Sequence, residues 1–271
     1  KLAEQTREYV DSAKAIASAL NRPADLSAYT GRVPDTPENK FVSDVSRAAL
    51  GEISRQEVNA FRNNASASDL VAERSRIAGN AFEAATHNVT PSQVADAFGD
   101  RARLADIPNQ TAVAAAQEQL RQIETIRSDT PISQLTPEQA DLLYREPLIR
   151  EELARLESEA HVRNESTRAI QTALQNSQYG NELAKALTTQ PSTPAEIMKQ
   201  NALYAAVTSY SRGVDGAELL RSADPNQIPA GLTPEDYYTP IDPQNNAYTD
   251  RIAQADRYIG ELTGALKPSS E

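Results

Sequence analysis

The sequence predicts an all-α protein, an irregular multi-helix bundle. Three observations carry this. Apolar residues recur at three- and four-residue steps in several separate stretches, which lines one face of a helix. Thr-Pro pairs punctuate the chain at Thr36, Thr90, Thr136, Thr193 and Thr233. Strand signals are almost absent: no sustained alternation rich in Val, Ile and Thr, and no Asn-Gly or Asp-Gly turn between two such runs.

The elements follow in order. A first stripe joins Leu2, Tyr9, Ala13, Ile16 and Leu20. Thr36-Pro37 then opens a helix whose stripe is Phe41, Val45, Ala48, Ala49 and Ile53. A Thr hydroxyl accepts from an orphan amide of the first turn, and Pro fits the next position, where an amide hydrogen has no partner anyway. Leu70, Ile77, Ala81 and Ala85 form a third stripe, with Phe82 beside it. Thr90-Pro91 opens a helix carrying Val113, Ala116, Leu120 and Ile123. Gln93, Gln139 and Glu196 stand three residues after their Thr, which completes a capping box at each start. Thr130-Pro131 with Gln134 reads as a further, shorter start. The intervals between Thr-Pro pairs are unequal and the sequences between them do not match, so they mark helix starts and not repeats of a solenoid.

From about 148 to 178 the chain is a long polar helix. Its stripe is Leu148, Ile149, Leu153, Leu156, Ala160, then Ile170, Ala173 and Leu174. Between Ala160 and Ala169 only Val162 is strongly apolar. Such a helix is at most half covered; it reaches out from a body or packs on another chain. Residues 213–246 read as an extended segment, with five Pro, three Gly and an excess of acids. The last stripe is the cleanest: Tyr248, Ile252, Ala255, Ile259, Leu262 and Leu266 step 4-3-4-3-4 like a coiled-coil seam.

All four Phe lie in the first hundred residues, and eight of the ten Tyr lie at or beyond Tyr144. The expected organisation is therefore two helical lobes, 1–130 and 131–271, joined near Ser128 to Pro137.

Composition excludes several chemistries. There is no Cys, so no thiolate nucleophile, disulfide or cysteine metal site, and two His cannot build a His-rich centre. A net charge of −11 opposes nucleic acid and anionic membrane surfaces, which recruit cations. No run of about 18 apolar residues offers a membrane span. No nucleophile elbow, P-loop, dinucleotide fingerprint or His-Glu-x-x-His is present. Glu157, His161 and Glu165 stand at i, i+4, i+8, a column that could seat a metal or tune a base. With Arg155, Arg163 and Arg168 beside them, ion pairs on a solvated helix face explain the column more simply. Glu83 and His87 share the same spacing, and a His near a helix end serves the last carbonyls. No cofactor or metal is expected.

The expected function is non-enzymatic: a structural or protein-interaction subunit of a larger assembly, packing helices against other protein subunits or against copies of itself. The candidate contact residues are Tyr237 and Tyr238, flanked by Pro234 and Pro240, and Tyr248, Ile252, Ile259, Leu262 and Leu266 on the final helix. The general make-up is similar in class to helical components of secretion and conjugation machines and of phage virions. The alternatives are a secreted helical effector or ligand-binding protein with a pocket between lobes, and an all-α hydrolase or lyase using Glu157, His161 and Glu165. A chain opening on Lys1, without Cys, tilts the reading toward an exported protein of the periplasm or a virion.

Overall fold

The computed structural model describes residues 35–63, 68–222 and 247–267. Among these the protein is all-α, with eight α-helices, one 3-10 turn and no strand. The chain forms two compact units that divide between Val89 and Thr90.

In the first unit α1 (Pro37–Arg62) and α2 (Ser68–Thr86) form an antiparallel hairpin. Val42, Val45, Ala49, Leu50 and Ile53 are the buried face of α1, and Ile77 and Ala84 that of α2. Thr36 caps α1 by accepting from the Asn39 amide at 3.2 Å. Asn39 is itself buried, and its side-chain amide donates to the carbonyls of Ala84 at 2.7 Å and His87 at 2.5 Å. Its oxygen accepts from the Val89 amide at 3.3 Å. One side chain thus satisfies carbonyls at the end of α2 that helix geometry leaves without partners. The sequence reading gave that task to His87. The His87 ring instead lies exposed beside Glu83, at 3.2 Å.

The second unit is built on two long helices, α3 (Pro91–Asp129) and α5 (Glu146–Asn176). A 3-10 turn, Ile132–Gln134, and the short α4 (Pro137–Tyr144) connect them. Next come α6 (Gly180–Thr188), α7 (Pro194–Ser222) and α8 (Ala247–Thr263). The predicted capping boxes form at Thr90 with Gln93 and at Thr136 with Gln139. Thr193 and Glu196 exchange the same pair of bonds, at 3.1 and 3.2 Å. Thr130 differs: it closes α3, and the following turn has no side-chain cap. Three residues are too few for the α-helix that a cap would stabilise.

Two expectations change here. The division near 130 becomes one between Val89 and Thr90, because α3 packs along α5 and belongs with it. Residues 128–137 reverse the chain at one end of that pair. The segment expected to be extended from 213 is helical as far as Ser222. Gly213 and Gly216 are not breakers. They are the places where α7 lets α8 come close: an added Cβ at Gly213 would lie 2.7 Å from Ile252, and one at Gly216 would clash with the edge of the Tyr248 ring.

Candidate protein-interaction site

Helix α3 buries Asn109, Ala116 and Ile123, seven residues apart. Helix α5 buries Ile149, Leu156 and Ile170 on the same step, with half-buried Arg163 filling the missing place. A seven-residue seam on two facing helices is an antiparallel coiled coil. Polar bonds set its register. Asn109 donates to the Leu156 carbonyl at 3.0 Å, and Arg163 reaches Asp106 at 2.7 Å. This pair explains the polar gap between Ala160 and Ala169: one arginine of the gap is answered from α3. Another, Arg168, is answered from α7 by Asp215 at 2.6 Å. Near the turn, Glu146 is held by Arg127 and by Arg150, the latter at 2.9 Å. These partners, Arg150 first, pull its carboxyl below the ordinary 4.5 against the opposing effect of burial.

Near that turn, Ala116, Ile123 and Ile149 form a core that Leu142 and Leu143 of α4 help to close. A neighbouring stretch of the pair stays open. There a groove of about 320 Å³ runs between Ala112, Ala115 and Ala116 on α3 and Leu148, Ile149 and Leu156 on α5, and no residue of α4 lines it. Leu148 stands in its wall with 63% of its surface exposed. Arg145 and Glu152 flank Leu148 along the same wall. Glu152 bonds Arg155 on its own helix at 2.6 Å, which draws its carboxyl below the ordinary range. Among the described residues, the acid that Arg145 pairs with is Asp141, at 3.9 Å.

The contact residues expected on the last helix are placed differently. The α8 stripe faces α7 of its own chain, where Gly213 meets Ile252 and Gly216 meets Tyr248. Ile259 is fully buried, and Leu262 is half-buried. Leu266 lies beyond the helix, past Gly264 at φ 83°, where its amide donates back to the Gly260 carbonyl at 2.9 Å. A seam of this kind looks the same in sequence whether its partner lies in the same chain or in another. Tyr237 and Tyr238 lie outside the described residues.

The two His columns are surface features. His161 is 3.8 Å from Glu165, both are largely exposed, and Glu157 is exposed one turn away. No acid from another element joins them, and no group of three or more metal-binding side chains occurs among the described residues.

The coiled-coil frame of α3 and α5 was not read from the sequence. The signal was available: Asn109, Ala116 and Ile123 share one frame, Ile149, Leu156, Arg163 and Ile170 another, and a turn separates them. The polar members at Asn109 and Arg163 hid it from a search for apolar stripes.

Compared with models of protein families, with curated proteins and with solved structures, the chain matches none.

Proposed function

We propose that this protein is a non-enzymatic interaction subunit of a larger protein assembly, and that it docks helices of other subunits on the α3–α5 coiled coil. The open groove beside Leu148 is the observation that carries this reading. An exposed leucine over an alanine floor leaves apolar surface in water, and an amphipathic partner helix laid into the groove removes it. The small side chains at Ala112, Ala115 and Ala116 let a third backbone approach closely. The scattered surface ion pairs beside the groove are mostly within one helix and add little to stability by themselves. They keep the flanks wet and suit a polar rim around an apolar strip.

Site-specific photocrosslinking in the native cell tests the reading. A crosslinker placed at Ala112 or Gln119 should form a discrete protein adduct that Leu148→Asp abolishes without loss of helical circular dichroism. Absence of any protein adduct from both groove positions, with an intact fold, sinks the proposal.

A further inference from the structure

The geometry points to a second copy of this chain as the occupant of the α3–α5 groove, paired antiparallel about a two-fold axis beside Leu148. This rests on the interaction reading above and names its partner. The charge pattern selects the partner. Along its Leu148 wall the groove presents Arg145, the residue that precedes α5, then Leu148 and Ile149, then Glu152. In an antiparallel pair of identical helices the residue numbers that meet have a constant sum. The register that sets Leu148 against Ile149 of the second copy therefore sets Arg145 against Glu152, and the two-fold axis repeats both contacts. One surface thus supplies both charges, the exposed Leu148 and the groove that receives it, in an isologous interface. The next charge outward on this side is Arg155, which holds Glu152 and Glu159 on its own helix. Asp141 lies 3.9 Å from Arg145, a spacing that leaves the guanidinium open to a closer carboxylate.

The alanines provide the space. Leu148 of each copy enters the other's groove between Ala112, Ala115 and Ala116. Leu148 is exposed in one copy by itself, so the contact adds burial without dismantling the seam of Asn109, Ala116 and Ile123. The α5 wall from Arg145 to Leu156 is about 16 Å long at the helical rise. That is the small end of specific interfaces, so reversible association is expected rather than a permanent dimer.

The test is sedimentation velocity on the full chain up to about 500 μM, where weak association at the small end of interface sizes becomes visible. Wild type should shift from monomer to dimer. Arg145→Glu and Glu152→Arg each place like charges across the axis and should weaken dimerisation at least ~10-fold. The double variant R145E/E152R restores opposite charges and should return to within ~3-fold of wild type. Leu148→Asp should remain monomeric. Circular dichroism of every variant separates lost association from lost fold. Wild type that stays monomeric over the whole range, or a double variant no better than the singles, overturns the second copy as occupant. If a hetero-protein adduct still forms at the groove in the cell, the interaction reading survives and only the self-pairing fails; with no adduct of any kind, both fail.

Discussion

Helix α5 is packed in two different ways along its length. Toward its C-terminal end, Ala169, Ile170, Ala173 and Leu174 are all buried, with α3, α6 and α7 packed around them. Toward its N-terminal end, only Glu146, Ile149 and Leu156 are buried, and Leu148 lies open. A polar amphipathic helix becomes core where several neighbours cover it and keeps an open edge where one main neighbour does. The contrast locates stability in the many-helix half, and the proposed docking falls in the coiled-coil half.

The largest effect is expected in the many-helix half. Leu174→Ala removes a fully buried side chain of α5 where α3, α6 and α7 meet it and should cost about 2–5 kcal/mol in chemical denaturation. If it costs under about 1 kcal/mol, that half is not the stable one and the comparison breaks. Gly216→Ala should cost about 1–3 kcal/mol, because the new methyl group clashes with the edge of the Tyr248 ring and α8 must shift. Removing a smaller interaction from the coiled coil sharpens the contrast: Asn109→Ala loses one bond to the Leu156 carbonyl and should cost about 1 kcal/mol. Leu148→Ala should change monomer stability by under about 0.5 kcal/mol, since that side chain is mostly in water already.

The pH dependence at the turn is expected to be the subtlest. Glu146 has a folded pKa below its ordinary 4.5, set mainly by the Arg150 bond and assisted by Arg127. Its contribution is therefore fully present above the ordinary glutamate range and fades as pH falls through the lowered folded value. Glu146→Gln should remove that acid-side loss from the stability profile without altering the neutral-pH circular dichroism. An identical acid limb in the variant shows that the ion pair contributes nothing to holding the turn.

The sequence by itself determined where helices begin and which faces turn inward. The starts at Thr36, Thr90, Thr136 and Thr193 are local, because a cap needs only the first turn of its own helix. The stripes through Val45, Ile77, Ala116 and Ile259 are local for the same reason: helical period alone places these residues on one side. Partner choice was decided only by the tertiary structure. The final stripe looked like a docking seam and is filled by α7, while the groove beside Leu148 opens on a helix read as polar and at most half covered. Gly213 and Gly216 fell in a segment expected to be extended, and they lie inside α7 where Ile252 and Tyr248 pack against them. The join expected near 130 is a chain reversal, since Thr, Ser and Pro serve a turn and a linker equally well. Local chemistry sets a helix and its apolar face, but which face meets which depends on residues far apart in the chain, and no short window of sequence contains both sides of that contact.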